Sequence, residues 1–580
     1  TGPVARIGEK DINNVPTIRL DQALTGKVSG VHVTNTSGEP GAATNILIRG
    51  GNSISASNQP LYVVDGFIGA GDLNLIDPND IESIEILKDA AATSIYGARG
   101  ANGVVIITTK RGTEGGNNVT VNAYVGIQHV AKRLEMLNAR EYAEMLNQQD
   151  VAAGQEPSIE NPSIYEKGTD WQEEILQMAL MQNYQVAASG GSKDTRYYLS
   201  LSMFDQEGVI KRSGIRRYQT RLNLDRKIGD KINIGANFQF SHSSRKPNLV
   251  SLGGFDYQSS ALATPPTMPI YNEDGSFYEG FPLDQLNVPN PLRDQGLDKN
   301  TSEVLRSTNS LWASYKIIEG LTIKETISYD FIDNQSTTYW PMNSNNGEAY
   351  NGLMIKYPYQ HHNIYSSTVL NYTNTFADKH NLDVLLGWDV DDRKEQFVQA
   401  VGANYPHDKL PELGNTSEPM TASSGYSEDH LLSLLSRINY DYDDKYYISA
   451  NYRRDGSSRL GANTRWGNFW SVSAAWRLSQ EAFMKNLTYV DDLKLRVSYG
   501  INGTLPSKFY SHLSLFGYGY NYQDQPGSAP TTIPNPDLGW EKNENFNIGF
   551  DARLFGRLSV AFDFYNRETK DLLQDVPVSM

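Results

Sequence analysis

Apolar and polar residues alternate along most of the chain from about Val119 onward. In the segment LKLRVSYG, Leu493, Leu495, Val497 and Tyr499 occupy every second position, and the residues between them are polar. Successive side chains of a β-strand point to opposite faces, so this pattern predicts strands with one apolar and one polar face. The same alternation recurs in KINIGANFQFS, NFNIGFDARLF and LSVAFDFYN, and about fifteen such segments follow one another.

The connections between these segments alternate in length. Short turns such as IIEG, ADKHN and FGR follow every second segment. Long connections separate the others, at 131–182, 243–301, 335–363, 395–428 and 501–542. Short turns at one end and long loops at the other are typical of outer-membrane barrels. A soluble sandwich or propeller would share the strand pattern but not the alternating connections, so the predicted fold is a transmembrane antiparallel β-barrel.

The predicted barrel is incomplete. Bacterial single-chain barrels generally have an even number of strands, and an open sheet edge leaves backbone groups that lipid cannot satisfy. The chain ends at QDVPVSM, just beyond a strong strand pattern, and its first residues lack the basic start and apolar core of a signal peptide. We therefore expect the chain to be a fragment that lacks its C-terminal strands.

Residues 1–115 have a different texture and are predicted to form a small α+β domain. NILIRGG, PLYVVDG and GVVIITTKRG are short strand patterns next to glycine. Gly97, Gly100 and Gly103 give the spacing G-x-x-G-x-x-G, which lacks the order and context of a dinucleotide fingerprint. These glycines are predicted to allow tight turning and close packing before the last strand. Residues 116–580 then form the predicted barrel.

Several segments resemble SusC/RagA-type TonB-dependent outer-membrane transporters. LYVVDG, IESIEILKDAAATSIYGARGANGVVIITTKRG and ALTGKVSGVHVTNTSGEPGAATNILIRGGNS resemble the plug domain over about residues 15–112. LNAREYAEMLN, LKLRVSYGINGT and YNRETKDLL resemble the barrel of the same family. The resemblance implies a barrel of about 22 strands with the N-terminal domain inside its lumen as a plug.

The resemblance also implies a function. The expected activity is TonB-dependent import of large nutrients across the outer membrane of a Gram-negative bacterium of the Bacteroidetes, with oligosaccharides as the preferred cargo and oligopeptides as the alternative. The plug would be the gate, the TonB-ExbB-ExbD complex the energy source and a SusD-like surface lipoprotein the lid, and two barrel–lid units would pair. From the residues alone, a secreted or surface glycan-binding β-protein and a passive porin remain as alternatives.

Composition and motifs exclude several other functional classes of protein. The net charge of −16 opposes nucleic-acid binding, and the absence of cysteine excludes disulfides and thiolate metal ligands. No G-x-S-x-G, H-E-x-x-H or S-x-x-K motif stands in a persuasive setting, so neither an enzyme nor a cofactor is expected. The acidic segments WDVDDRK and NEDGS do not fit the EF-hand spacing. Each is predicted to be a solvated loop or a tight turn, and no metal site is assigned.

Two plug arginines are candidate residues for locking the plug to the barrel. Arg49 of IRGG and Arg99 of YGARG would be enclosed by the barrel wall. Buried arginines normally pair with carboxylates or carbonyl oxygens. In the family that the chain resembles, plug arginines meet barrel carboxylates, so at least one such pair is expected here. Packing within the plug alone is the alternative.

The candidate cargo-contacting residues are aromatic or small and polar. Aromatic rings beside Asn, Gln and Asp suit sugar rings and peptides alike, although such rings also pack on one another or on a partner. The candidates are Asn52 and Ser53 in the plug loop 50–58, Trp312, Tyr447 and Tyr565 on the lumen side of strands, and Tyr357, Tyr359, Tyr518, Tyr520 and Tyr522 in predicted loops.

Overall fold

The computed structural model describes residues 4–13, 22–69, 76–247, 257–278, 290–484 and 486–576. They form a small N-terminal domain, here called the plug, and one large antiparallel sheet, here called the wall. The plug strands are β1 (Val4–Gly8), β2 (Val31–Asn35), β3 (Thr44–Ile48), β4 (Leu61–Val64), β5 (Phe67–Ile68), β6 (Ile81–Leu87) and β7 (Val104–Thr109). Its helices are α1 (Glu9–Asn13) and α2 (Ala90–Thr93), with 3-10 turns at Gln22–Leu24, Pro78–Asp80 and Ser94–Arg99.

The plug has a hydrophobic core of its own. Its main sheet has the order β1-β6-β7-β4-β5, with β4 and β7 parallel and the other neighbours antiparallel, while β2 and β3 form a separate hairpin. Ile84, Ile86, Val105 and Ile107 alternate along the two central strands and are fully buried. In this core cluster the only buried wall residue among those described is Tyr365. The plug is therefore packed as an independent unit.

The wall contains fifteen strands, as the sequence pattern predicts, and each pairs antiparallel with its neighbour in the chain. They are β8 (Asn117–Gln128), β9 (Ala179–Gly191), β10 (Thr195–Glu207), β11 (Gly214–Ile228), β12 (Ile232–Lys246), β13 (Lys299–Ile318), β14 (Leu321–Trp340), β15 (Leu353–Phe376), β16 (His380–Ala403), β17 (Glu418–Tyr442), β18 (Tyr446–Ser457), β19 (Trp466–Arg477), β20 (Val490–Thr504), β23 (Glu541–Leu554) and β24 (Leu558–Lys570). Within the described residues, β8 and β24 are the two free edges, so the sheet is not closed.

The connections carry the remaining elements. A two-stranded hairpin, β21 (Phe516–Tyr518) and β22 (Ser528–Pro530), lies between β20 and β23. The helices are α3 (Ala139–Ala152), α4 (Trp171–Ile175), α5 (Tyr257–Ala263), α6 (Pro291–Leu297) and α7 (Asn345–Glu348). Further 3-10 turns lie at Pro162–Ile164, Leu413–Asn415 and Leu478–Gln480.

The two faces of the wall have opposite chemistry. Outward side chains such as Leu311, Leu386 and Ile448 are apolar and each is more than half exposed. Their neighbours on the inner face are polar and buried against the plug, as Asn451 and Arg496 illustrate. This arrangement confirms a barrel wall with an apolar exterior rather than two sheets pressed together by their apolar faces.

Two predicted loops are largely strand. Segment 335–363 contains the ends of β14 and β15, and segment 395–428 contains those of β16 and β17. YPYQHHNIY therefore lies within β15 and WDVDDRK within β16, whereas NEDGS is the predicted tight turn, closed by hydrogen bonds between Asn272 and Ser276. The outward face of these strands loses its apolar residues toward the long connections, so the alternation that marks a half-apolar strand disappears there.

Val472 offers a test of the outward face. It lies on β19 between Trp470 and Trp476, on the same exposed face, and is 47% exposed. Aromatic residues flank the hydrocarbon band of such barrels, so Val472 is expected near its middle. V472R should cost about 2–4 kcal/mol of folding free energy in lipid. The folded fraction in vesicles, measured by heat-modifiable gel migration, should fall for V472R and remain unchanged for V472L. Equal folding of both variants would contradict a lipid-facing position.

Candidate functional site

The segment that connects β6 to β7 is shaped by capping and by glycine. Asp89 caps α2 by accepting a hydrogen bond from the amide of Ala92 at 2.9 Å. The chain then turns through the 3-10 segment, where Gly97 has φ of +59°. A β-carbon on Gly97 would lie 2.2 Å from an oxygen of Asp455 and 2.4 Å from Nε of Arg453. Glycine is therefore required here for close approach of the plug to the wall.

This segment, residues 89–99, is bound to the wall by hydrogen bonds from hydroxyl and amide side chains. Ser498 donates to the Asp89 carboxylate at 3.0 Å, and Asn502 donates to Thr93 Oγ1 at 2.9 Å. Ser94 and Ser471 share a hydrogen bond of 2.7 Å between their hydroxyls. These groups are buried, so each bond replaces contacts with water that the docked plug has lost.

Charged groups continue the same contact. Arg453 donates to the carbonyl of Ile95 at 2.7 Å and pairs with Asp455 at 2.7 Å and Asp389 at 3.0 Å. The amide of Ala98 donates to the second oxygen of Asp455 at 2.9 Å. A buried arginine with two carboxylates and a carbonyl oxygen is well satisfied, so it fixes the position of the plug segment.

Arg99, a predicted locking residue, lies in direct contact with Asp391 of β16, and the two are here called the plug latch. Asp391 is 3% exposed and also pairs with Arg393 at 3.1 Å. Two guanidinium groups thus share one carboxylate. Burial, and next to it repulsion from Arg393, lowers the pKa of Arg99 well below its ordinary value.

A second polar contact lies on the opposite part of the wall. Arg221 of β11 approaches Asp65 and Asp80 of the plug at 3.6 Å each. Tyr198 and Gln185 each donate to Asp80 at 2.8 Å. Burial, with a smaller contribution from Asp77, raises the pKa of Asp80 to about 6. Sequence reasoning missed Asp65 and Asp80, although both directly follow or precede a predicted plug strand.

Arg49, the other predicted locking residue, has a weaker wall contact. Its guanidinium lies 3.9 Å from Asp563 and stacks 4.4 Å from the ring centre of Tyr565. Its backbone φ is +59°, an uncommon value for a residue other than glycine. Asn52 accepts a hydrogen bond from Arg567, and Ser53 donates to Glu541 at 2.9 Å. These three candidates, with Tyr565, form the contact between the plug and β23–β24.

A cavity of about 660 Å³ lies between the plug and the inner face of the wall. Plug residues of its floor include Ser57, Gln59, Tyr62 and Asn102. Its sides carry charged residues of both signs: Asp330, His361, Arg393, Glu395, Asp429 and Arg459. These strands reach the long connections just above the cavity, so it lies on that side of the plug.

The predicted aromatic residues are dispersed rather than gathered in this cavity. Only Tyr359 lines it, while Tyr357 stacks on Phe397 with ring centres 5.4 Å apart. Tyr518, Tyr520 and Tyr522 are 86%, 58% and 76% exposed in the connection around β21 and β22.

Trp312 and Tyr447 face the lumen near the short turns. Each lies against a lysine, with Lys324 4.9 Å from the Trp312 ring centre and Lys494 4.7 Å from that of Tyr447. They therefore stand at the end of the wall opposite the long connections, away from the cavity.

Sequence reasoning missed the charged residues of the cavity sides. Asp391, Arg393 and Glu395 alternate on the inner face of β16, and their period of two is the signal that could have identified them. The acidic composition suggested a solvated loop instead.

Known families match both parts of the chain. Residues 1–104 match the TonB-dependent Receptor Plug Domain, and residues 227–579 match the family described as TonB dependent receptor-like, beta-barrel. The whole chain is 36% identical to TonB-dependent receptor P26 of Formosa agariphila and 31% identical to TonB-dependent receptor SusC of Bacteroides thetaiotaomicron. It spans 59% and 60% of the lengths of these two relatives.

Solved structures give the same assignment. The RagAB peptide importer in its closed-closed state superposes with a TM-score of 0.88 at 28% identity, covering 100% of this chain and 68% of the other. The siderophore receptor PirA from Acinetobacter baumannii shares the fold, with a TM-score of 0.60 at 15% identity over 98% of this chain and 70% of that one. The chain therefore belongs to the TonB-dependent receptors, which are outer-membrane β-barrel proteins of Gram-negative bacteria. Its resemblance to the SusC and RagA type is confirmed.

None of the helices among the described residues is long and apolar enough to cross a membrane. The described part of the chain contains no group of three or more metal-ligating side chains arranged to hold a metal ion.

Gly97 provides a test of the close contact between plug and wall. G97A should weaken docking of the plug because the new β-carbon collides with Arg453 and Asp455 and the left-handed backbone is strained. G26A is the matched control, because Gly26 has φ of +71° and no atom within 4 Å of its β-carbon position. Trypsin should cleave the plug of G97A faster than that of G26A in the detergent-solubilised full-length receptor. Equal rates would contradict the contact.

Asp80 predicts a pH dependence of docking. Its pKa is raised from 3.8 to about 6 in the docked plug, so the docked state binds the proton more tightly than a plug with Asp80 in water. Docking should therefore be strongest below about pH 4, weaken as the pH rises through 6 and remain constant above. The thermal midpoint of the plug, followed from pH 4 to 8, should show this slope in the wild type and lose it in D80N. An unchanged slope in D80N would assign the effect to other groups.

Proposed function

We propose that this chain is part of a gated transporter that imports large nutrients across the outer membrane with energy from TonB. The plug is the gate, and the TonB-ExbB-ExbD complex of the inner membrane supplies the force that opens it. A SusD-like lipoprotein covers the side of the long connections, and two barrel–lid units pair. The relation to SusC and the RagAB importer supports these partners.

One observation carries the proposal: the plug has its own hydrophobic core, but its contacts with the wall are largely polar. Hydrophobic contacts between separately packed units tend to be permanent, whereas ion pairs and hydrogen bonds can be exchanged for water. Arg453, Arg221 and the plug latch each join the plug to a different part of the wall. Such an interface can release the plug, or part of it, without destroying the plug's core.

The two arginines that are proposed to lock the plug make contacts of different strength. Arg99 contacts Asp391 directly, while Arg49 lies 3.9 Å from Asp563 on β24, beside the shorter hydrogen bond from Ser53 to Glu541. Under an applied force, the weaker contact is expected to break first. We assign Arg49 and Arg99 as residues that hold the plug, with Arg99 making the stronger contact.

Cargo is assigned to the cavity and the surfaces above it. Tyr62 and Tyr359 line it with aromatic rings, and Gln59 and Asn102 make its floor polar. We propose oligosaccharides as the preferred cargo, which these groups suit, and oligopeptides as the alternative. Tyr518, Tyr520 and Tyr522, exposed near the long connections, are proposed to contact cargo or the lid.

The other candidate functions are less well supported. A passive porin needs an open lumen, whereas this wall holds a folded domain through buried ion pairs. A soluble glycan-binding protein would not display rows of exposed Leu, Ile and Phe on one face of a fifteen-stranded sheet.

Uptake in cells tests the proposed function. Cells carrying the full-length receptor should accumulate labelled oligosaccharide or oligopeptide, and deletion of the receptor or of TonB should abolish accumulation. Retained uptake without TonB would favour the porin, and absence of uptake of every oligosaccharide and peptide tested would reject import.

The plug latch gives a prediction for the closed state. D391N removes the charge that Arg99 and Arg393 share, so the plug should be held less firmly, by about 1–3 kcal/mol. Ion conductance of the full-length receptor in planar bilayers should rise above the wild-type level. D392N is the matched control, because Asp392 is the next residue on the same strand, faces outward and lies 3.5 Å from His430. Equal conductance of the two variants would contradict the latch.

A further inference from the structure

The floor of the cavity contains a convergence of nitrogen donors around Gly69. Gly69 has φ of +88°, and the position of a β-carbon on it lies 3.6 Å from Arg393 Nη2, 3.7 Å from Arg99 Nη1 and 4.0 Å from Asn363 Nδ2. All four residues line the cavity. Three donors from the plug and two neighbouring strands thus point at one place that glycine leaves free of a side chain.

The two guanidinium groups that face this place are only partly neutralised. Arg99 and Arg393 share the single carboxylate of Asp391, so this group of three has one positive charge in excess. Of the other carboxylates nearby, Asp429 has an arginine of its own, Arg459 at 3.0 Å, Glu395 faces a histidine, His361 at 3.6 Å, and Asp389 and Asp455 share one arginine, Arg453.

An unsatisfied donor marks the same place. Among the described residues, Nε of Arg393 is buried without a hydrogen-bond partner, and Asn363, which is 1% exposed, pairs with Arg393 across the two strands. Buried polar groups are normally satisfied, and those that are not often mark the site of a ligand or a water molecule.

We propose that Arg99, Arg393 and Asn363 bind an oxyanion of the cargo, a carboxylate or a sulfate group. Guanidinium groups bind such anions through pairs of parallel hydrogen bonds, and the amide supplies a further donor. The group can come from an acidic sugar or from the C-terminus of a peptide. This inference rests on the proposed function and specifies the cargo further, as an anionic molecule.

The same geometry links cargo binding to the gate. Arg99 is one half of the plug latch, so an oxyanion bound to Arg99 competes with Asp391 for the same guanidinium. Binding of an anion in the cavity therefore weakens the plug latch. A ligand shifts an equilibrium only by its difference in affinity between two states, and this competition provides such a difference.

Calorimetry on the detergent-purified full-length receptor tests the site. The probes are trigalacturonic acid and its methyl ester, and an N-acetylated hexapeptide with a free or an amidated C-terminus. Wild type should bind the acid of at least one pair more tightly than its neutral form. R393Q should weaken binding of that acid by about 10- to 100-fold and weaken binding of the neutral form much less. R393K keeps the positive charge but cannot form the pair of parallel hydrogen bonds. Its loss of affinity for the acid should therefore be smaller than that of R393Q.

K394Q is the matched control, because Lys394 is adjacent to Arg393 but lines an outward-facing groove. It should bind all four probes as wild type does. Preference for the sugar acid assigns an acidic glycan, and preference for the peptide acid assigns a peptide C-terminus. Equal binding of acid and neutral probes, or equal losses in R393Q and K394Q, would overturn the site.

A carboxylate of the chain itself is the competing occupant. Asp72 follows Gly69 by three residues and lies outside the described residues. If only D72N binds the acids, the site belongs to the chain and the proposal fails. Calorimetry on the purified receptor does not require TonB. A negative binding result therefore rejects the oxyanion site without rejecting import. A receptor that imports neutral cargo would retain the proposed function while losing this inference.

Discussion

The structure depends on the requirement that a strand crossing lipid must pair all its backbone groups with other strands and present apolar side chains outward. Because side chains alternate, an apolar exterior leaves every second residue for the lumen. The wall therefore has an inner face of Ser, Asn, Gln, Asp and Arg, of which Asn451 and Arg496 are examples. The inner surface that contacts the plug is therefore polar because the outer surface of the same strands faces lipid.

A plug that meets such a surface shares little hydrophobic core with it: Tyr365 of the wall joins the plug core, and Ala98 of the plug joins a small wall cluster. The isoleucines and valines of β6 and β7 pack within the plug, and the plug side chains that bind the polar face of the wall include Asp, Ser, Thr and Arg. Buried polar contacts are costly to leave unsatisfied, so they specify one docked position without making docking irreversible. The proposed gate and the proposed oxyanion site use the same property, because both depend on exchanging the partners of a few arginines.

The sequence allowed prediction of the wall wherever one strand face is apolar. LKLRVSYG and LSVAFDFYN are strands because their alternation contrasts strongly with their surroundings, and fifteen strands were predicted and found. The upper parts of β14–β17 are not predictable in this way, because both strand faces are polar there and no apolar residue marks every second position. WDVDDRK therefore resembles a loop in sequence although it is strand, and the apolar pattern does not reveal the inner row of Asp391, Arg393 and Glu395. The partners of Arg99 and Arg49 lie about 290 and 510 residues away in sequence, and local patterns hold no information about such pairs.

The length of the central strands has a further consequence. β15 and β16 have 24 residues each and β17 has 25, whereas about 9–11 residues suffice to cross a bilayer. More than half of each strand therefore stands outside the hydrocarbon as a continuous hydrogen-bonded sheet. A vestibule built from paired strands is already ordered before any molecule arrives, so little conformational entropy is lost on capture. The ends of these strands near the long connections form an ordered funnel. Any adaptation to molecules of different shape then depends on the long connections that join those strand ends.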